Sequence, residues 1–168
     1  MNNTKNNVRG FPFSLFAAAL IIVLGGVLLT AVARAQAVSK TAKAGSYALT
    51  LKVLPAESFT GPKAEMVRDG GANPNKVNGP EHPNHHMVVF VKQNGKPVEN
   101  ATVDMNYRRL SPNPTNWKLL PVVRMHVKGH GLATTHYGNN VKLPRGKYAV
   151  QVGVNGGMPA TIVFTLKH

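Results

Sequence analysis

Apolar and polar residues alternate along several short stretches of the chain after residue 46. Such a two-residue period is typical of β-strands that bury one face and expose the other. The apolar run at 87–92 and the extended stretch at 119–128, which contains a proline, fit the same interpretation. In the extended stretch, Pro121 either places the strand at a sheet edge or delays its start to Val122. The pattern predicts six strands, at residues 47–53, 87–92, 101–107, 119–128, 148–154 and 160–167.

Turn residues separate the predicted strands, and no amphipathic helix is evident among them. Asn94-Gly95 and Asn155-Gly156 supply the positive φ angles that tight hairpin turns require. The segment from Pro55 to Pro83 is rich in Pro, Gly and Asn, which predicts a long loop. These features predict an all-β fold, an antiparallel immunoglobulin-like β-sandwich over residues 46–168, with a flexible leader at 38–45.

The N-terminal part of the chain has the three parts of a secretory signal peptide. Lys5 and Arg9 precede an uncharged segment from Gly10 to Ala33, and two overlapping small-x-small sites follow, ending at residue 37. A signal peptide at 1–37 is therefore predicted. The alternative is an uncleaved anchor helix, because about 20 apolar residues span a bilayer. In both cases we expect the rest of the chain outside the cytoplasm, either free in the periplasm or anchored to the inner membrane.

The chain is strongly basic, with 20 Lys+Arg against 6 Asp+Glu and a formal charge of +14. Its basic residues are scattered, with Arg108-Arg109 as their only adjacent pair, so no nucleic-acid partner is expected. The absence of cysteine excludes disulfides, Cys-ligated zinc and a thiol nucleophile. Because carboxylates are few and no nucleophile motif is present, we expect a protein that is not an enzyme.

Histidine and methionine are the residues that suggest chemistry. Imidazole suits copper, iron, zinc and nickel, whereas the thioether of methionine selects Cu(I). A thiol-free set of this kind suits an exported protein, since thiols oxidise or pair outside the cytoplasm. We expect two groups of these residues to meet at one end of the sandwich, where such folds carry functional loops. The groups are His82, His85, His86 and Met87, and then Met125, His126, His130 and His136.

Strand geometry limits which of these side chains can share an ion. His85 and His86 point to opposite faces if a strand begins there, so at most one of them is a ligand. Met125 shares a strand face with two valines, and packing in the core is the competing interpretation of this residue. His126 lies on the opposite face of the same strand, where solvation competes with ligation.

One segment resembles a known family. It reads H-Y-G-N-N-V-K-L-P from His136 to Pro144, followed by G-K-Y at 146–148. This is similar to the H-Y-G-x-N-V-K-x-P…G-K-Y segment of periplasmic iron-transport proteins with immunoglobulin-like folds. Those proteins form dimers, bind copper and support iron uptake, so the resemblance implies these properties here. The Gly and the two Asn residues after the Tyr favour a rigid turn that would fix the imidazole.

The resemblance also implies a set of site residues. The family's metal-binding histidine falls on His136, and its methionine ligand falls on Met125 with a longer spacing. The family's His and carboxylate on an earlier strand fall around His85 and Met87, where this chain has no Glu. A further family histidine, downstream of the G-K-Y strand, has no counterpart in this chain unless His168 serves. The missing carboxylate favours copper over iron, because hard iron ions prefer oxygen ligands.

These observations predict an exported, non-enzymatic protein that binds copper, with iron as the weaker alternative, and that carries or delivers the ion. Its expected partners are a metal-delivery or membrane transport protein and a second copy of itself. Two alternatives stay open: a structural or adhesive immunoglobulin-like module with incidental histidines, and a basic binder of acidic polymers or lipids. The candidate ligands are His85, His86, Met87, Met125, His126 and His136.

Overall fold

The structure, a computed structural model, describes residues 37–57, 66–68 and 82–167. Within these ranges the chain forms eleven strands and one 3₁₀ turn, Leu132–Thr134. No helical segment in this described part has the length and hydropathy needed to cross a membrane. The strands are β1 Val38–Ala44, β2 Tyr47–Pro55, β3 Met66–Arg68, β4 His85–Gln93, β5 Lys96–Pro97, β6 Val103–Ser111, β7 Lys118–Leu120, β8 Val123–Val127, β9 His136–Val141, β10 Gly146–Val154 and β11 Ala160–Leu166.

The strands form two sheets that face each other across the hydrophobic core. In the larger sheet the order is β1-β2-β4-β9-β8-β3, and β5 is hydrogen-bonded to β4 beside this path. The smaller sheet has the order β11-β10-β6-β7. The pairings between these strands are antiparallel, and one core of buried side chains draws on both sheets. This arrangement confirms the predicted all-β antiparallel sandwich.

Alternation along the strands places apolar side chains between the two sheets. Leu49, Leu51 and Val53 of β2 are buried there, together with Val150 and Val152 of β10. Full burial of one such side chain stabilises the fold by about 1.5–3 kcal/mol. The second face of the larger sheet is turned away from this core, and we call it the outer face.

Tyr137 joins the core from β9. Its side chain is fully buried, and its hydroxyl donates to the carbonyl of Val98 at 2.8 Å and accepts from the N–H of Ala101 at 3.0 Å. A buried phenol requires such partners. Tyr137 therefore ties β9 to the segment between β5 and β6. Its neighbours His136 and Gly138 are directed to the outer face.

Both Asn-Gly pairs adopt the turn conformation that the sequence predicts. The φ angles are 51° at Asn94 and 79° at Gly95, and they are 51° at Asn155 and 70° at Gly156. Two successive positive φ angles are characteristic of the type I′ turn, whose twist matches that of antiparallel strands. The first pair joins β4 to β5, and the second begins the connection from β10 to β11.

The predicted flexible leader at residues 38–45 is wrong. Residues 38–44 form β1, which pairs along its whole length with β2. The sandwich therefore begins at Val38 rather than at residue 46. Apolar alternation is weak in this segment because polar Lys, Ser and Thr side chains occupy the exposed positions of an edge strand. The signal peptide or anchor predicted at 1–37 stays a prediction, because residues 1–36 lie outside the described part of the chain.

Strand assignment differs from the sequence pattern at three further places. The stretch 119–128 is divided between β7 and β8, which belong to different sheets, since Pro121 has no N–H for a sheet ladder. The segment expected to form a rigid turn after His136 is the strand β9. The predicted long loop contains β3, and its residues 58–65 and 69–81 lie outside the described part of the chain.

Candidate metal centre

His86 and His136 lie side by side on the outer face of the larger sheet. Met87 of β4 and Tyr137 of β9 point into the core, so the preceding residue on each strand points outward. The two strands are neighbours, with His86 paired to Asn140. The imidazole rings meet edge to face, with centroids 6.1 Å apart and an interplanar angle of 88°.

Met125 lies next to His136 on the adjacent strand. The two residues are direct partners in the pairing of β8 with β9. Directly opposite residues on one face of a sheet have Cβ atoms about 4.5–5.5 Å apart. His86, His136 and Met125 are all fully buried. Two imidazoles and one thioether therefore share one buried region of the outer face.

The ring of His86 is held by Asn140. Nδ1 of His86 lies 2.9 Å from Oδ1 of Asn140. The amide of Asn140 is itself oriented by Glu57, whose N–H donates to Oδ1 at 3.2 Å and whose carbonyl accepts from Nδ2 at 2.8 Å. Because Oδ1 accepts in both contacts, Nδ1 of His86 is the donor and carries the proton.

The ring of His136 is held by the loop that precedes β9. Nδ1 of His136 lies 2.9 Å from the carbonyl oxygen of Thr134, which only accepts, so this Nδ1 also carries the proton. Thr134 is fixed in turn, because its hydroxyl donates to Gly131 at 2.8 Å and accepts from the N–H of Val127 at 3.0 Å. The backbone of the 3₁₀ turn thus determines the orientation of this imidazole.

Both imidazoles have the arrangement of metal-ligating histidines. A metal-bound histidine ordinarily donates its other ring N–H to a carbonyl or carboxylate, which fixes its tautomer and its orientation. Here Nδ1 of His86 and Nδ1 of His136 make such bonds, and the Nε2 atom of each ring is buried. In the neutral ring with Nδ1 protonated, Nε2 holds the lone pair that binds a metal ion.

His86 is neutral over the physiological pH range. Burial lowers the pKa of His86 from 6.5 to about 4; the hydrogen bond to Asn140 raises this pKa, and the positive charge of a protonated His136 lowers it. A neutral imidazole is the form that coordinates metal. Ligation by His86 therefore requires no loss of a proton at neutral pH.

A cluster of apolar side chains lies beside His136. Val88, Val123 and Met125 form a small buried cluster on the outer face, and Phe90 packs against it. The Phe90 ring also lies against His136, with centroids 5.1 Å apart and a tilt of 34°. Nζ of Lys52 lies 4.9 Å from the Phe90 centroid, which is a cation–π distance. The surroundings of His136 are therefore largely apolar on the side of Phe90 and Met125.

Gly138 allows β9 to approach β4 closely. It is the direct partner of Val88 on β4 and of Val123 on β8. A Cβ atom at this position would overlap the carbonyl oxygen of Met87 and would lie 2.7 Å from Cα of Val88. No side chain fits there without separation of the strands. The H-Y-G sequence thus combines a ligand candidate, a core residue and a point of close strand contact.

The structure separates the remaining predicted ligands from this group. His85 is on the opposite face of β4, with Nδ1 2.8 Å from Oδ1 of Asn84, and Met87 belongs to the core between the sheets. His126 alternates with Met125 and lies on the other face of β8. His168 is outside the described residues. In the described ranges, no three His, Asp or Glu side chains are close enough together to hold a metal ion.

Several residues of the site were not found by sequence analysis. Asn140 and Thr134 orient the two rings, and Phe90 contacts one of them. A strand at 136–141 beside β4 would have indicated Asn140, because residues 136, 138 and 140 then share the outer face. Thr134 acts through its backbone carbonyl, for which the residue type gives no signal.

Comparisons with known proteins add little to this picture. No protein-family model matches the chain, and no curated protein matches it. Among solved structures, the chain is similar to a crystal structure of a DUF4426 family protein from Pseudomonas aeruginosa PAO1. The TM-score is 0.43 and the identity is 18%, over 76% of this chain and 91% of that chain. At this level of similarity, no inference about function follows.

Proposed function

We propose that this protein is a non-enzymatic copper carrier that binds one Cu(I) ion between His86, His136 and Met125. The observation that supports the proposal is the pair of buried imidazoles on adjacent strands, each held through Nδ1, with a buried thioether directly opposite His136. Nε2 of each histidine and the sulfur of Met125 would be the ligands. Three donors suffice for Cu(I), which accepts low coordination numbers and soft ligands.

The composition of the site favours Cu(I) over harder ions. Iron, calcium and magnesium prefer carboxylate and carbonyl oxygens, whereas the third donor opposite His136 is the thioether of Met125, which belongs to an apolar cluster with Phe90 packed against it. Burial also favours the ion of lower charge, because desolvation of a monovalent cation costs less than that of a divalent one. Iron is therefore the weaker candidate for this site.

The proposed setting is outside the cytoplasm, with the ion passed to a metal-delivery or membrane transport protein. The support for this setting is the signal-like N-terminal sequence and the absence of cysteine from the chain. A His/Met site suits transfer, because a thioether binds copper less tightly than a thiolate and has no proton to release.

Competition titration of the purified full chain with a chromophoric Cu(I) chelator tests the proposal. We expect one equivalent of Cu(I) to bind tightly. His136→Ala should weaken binding by more than the ten- to hundredfold that loss of an outer-shell partner costs, since it removes a ligand itself. His130→Ala is the matched control, because His130 is exposed. Unchanged affinity in His136→Ala, or an equal loss in His130→Ala, would contradict the proposed site.

A further inference from the structure

A pocket lies at one end of the sandwich, away from the candidate metal centre. Its cavity volume is about 110 Å³. It is formed where β6 ends, where β10 begins and where the connection from β9 to β10 passes between the two sheets. Tyr107, Arg109 and Tyr148 line it from the smaller sheet, and Lys142 and Leu143 line it from the connection.

The pocket is strongly cationic. Arg109, Lys118 and Lys142 all line it, and no carboxylate from the described ranges belongs to its lining. Nε of Arg109 donates to the carbonyl of Asn113 at 2.7 Å, which fixes the guanidinium group at the pocket. Three positive side chains around one small cavity repel each other, so an anion bound among them is favoured.

Part of the pocket lining is apolar. The ring of Tyr148 is buried and stacks on Phe164 with centroids 5.5 Å apart, and its hydroxyl donates to the carbonyl of Pro144 at 2.6 Å. Leu143 is also buried beside it. The polar capacity of Tyr148 is therefore directed to the protein itself, and its ring offers a flat wall to a ligand.

The hydroxyl of Tyr107 stays protonated. Burial raises its pKa, and burial also raises the pKa of Tyr148, which the charge of Arg109 lowers and Tyr107 raises. Tyr148 and Arg109 are direct partners in the pairing of β10 with β6, and Tyr107 lines the same pocket. Two protonated phenols leave the three cations as the charged groups of the pocket.

The backbone of the pocket wall is well defined. The side chain of Asn84 bonds Leu143 twice, because Oδ1 accepts from its N–H at 2.8 Å and Nδ2 donates to its carbonyl at 3.0 Å. On the other side, Thr115 is fixed by two bonds to Arg109, one from each backbone N–H. A pocket held at both walls is pre-organised, which lowers the entropic cost of binding a ligand.

From these features we infer that the pocket binds a small organic carboxylate. The carboxylate would lie between Arg109 and Lys142, where charge-assisted hydrogen bonds are available. The apolar part would lie against the ring of Tyr148. A dry cavity of about 150 Å³ holds one benzene molecule. This pocket is somewhat smaller but open to solvent, so the apolar part of its ligand can be at most as wide as one benzene ring.

A carboxylate with an apolar body fits better than inorganic phosphate. Phosphate presents oxygen atoms on all sides and is bound best where donors surround it. Here the donors share the lining with the ring of Tyr148, with Leu143 and with Pro144, so they do not surround a ligand completely. The inference stands independently of the copper site, since none of the lining residues is a proposed copper ligand.

Titration of the full chain with benzoate, followed by amide NMR shifts, tests the inference. We expect saturable shifts confined to residues near the pocket, such as Tyr107, Thr115 and Leu143. Benzyl alcohol, which has a similar shape without the charge, should bind at least tenfold more weakly. Inorganic phosphate should also bind more weakly than benzoate.

Charge-removing variants identify the groups that bind the anion. Arg109→Gln should weaken benzoate binding about tenfold, as expected for loss of a charge-assisted hydrogen bond. Lys142→Gln, at an exposed position, should weaken it severalfold without an effect on folding. Lys147→Gln removes the same charge from an exposed residue outside the pocket and should leave the affinity unchanged.

Three results would overturn the inference. Equal affinity for benzyl alcohol and benzoate would mean that the cavity is a simple apolar one. Tighter binding of phosphate would mean that the site recognises inorganic oxyanions instead. Equal affinity in Lys142→Gln and Lys147→Gln would mean that general surface charge, and no specific pocket, attracts the ligand.

Discussion

Two oxygen acceptors decide which nitrogen of each buried imidazole carries the proton. Oδ1 of Asn140 faces Nδ1 of His86, and the carbonyl of Thr134 faces Nδ1 of His136. Each acceptor is oriented by further hydrogen bonds to the backbone, so neither ring is free to exchange its tautomer without loss of a partner. At the residue scale, the pre-organisation of the site therefore comes from an amide and a carbonyl group.

Asn140→Ala tests this role. The variant removes the acceptor of His86 and both bonds to the backbone of Glu57. We expect Cu(I) affinity to fall ten- to hundredfold and the free energy of unfolding to fall by about 1–3 kcal/mol. Chelator competition and urea unfolding measure the two effects. Asn116→Ala, at an exposed position, is the control and should change neither quantity. Retained affinity in Asn140→Ala would mean that the amide does not position His86.

At the scale of the element, the burial of strand β4 depends on its position inside the larger sheet. Its residues from His85 to Val89 are buried without alternation, because the strand lies inside the larger sheet and both of its faces are covered. A continuous apolar run does not show which residues belong to which face. The neighbouring β9 is also buried on both sides, and its Asn and Gly residues favour turns when they are considered in isolation. Tertiary packing overrides this local preference.

Gly138→Ala tests the close contact between β4 and β9. The added Cβ atom would overlap the Met87 carbonyl oxygen, so the strands must separate. We expect the free energy of unfolding to fall by about 1–3 kcal/mol or more. Gly153→Ala in β10 is the matched control, because a Cβ atom there meets its nearest neighbours at 3.8 and 3.9 Å, which is ordinary contact. Similar urea midpoints for the two variants would contradict this explanation.

At the scale of the whole molecule, the sandwich keeps its functional regions apart. The core lies between the sheets, the candidate copper site lies on the outer face of the larger sheet, and the cationic pocket lies at one end. The larger sheet therefore contributes one face to stability and the other to the proposed chemistry. Burial of His86 on that face links the site to the stability of the fold, because the folded state binds a proton there less readily than the unfolded chain does.

The free energy of unfolding should depend on pH through His86. Its pKa of about 4 in the folded protein lies below the value of 6.5 for an exposed histidine, so the unfolded state binds more protons between these values. Stability is therefore complete above about pH 6.5 and falls as the pH is lowered toward 4, by about 3 kcal/mol. Urea unfolding of the metal-free protein at several pH values measures this decrease. His86→Gln, which lacks the titrating group, should show a decrease smaller by that amount. Parallel pH profiles for the two proteins would contradict the assignment.

The sequence by itself determined the class of fold, and its residue types are the basis of the chemistry that we propose. Alternation along β2, β6, β10 and β11 predicts strands because a two-residue period is a local property of the backbone, and the two Asn-Gly turns follow from the same local conformational preferences. The His and Met side chains without cysteine likewise indicate soft-metal chemistry from residue type alone. The tertiary structure decided which of these side chains come together. His136 lies beside both His86 and Met125, whereas His85 and Met87 are on the opposite face of β4, because strand order and register depend on the packing of residues far apart in the chain.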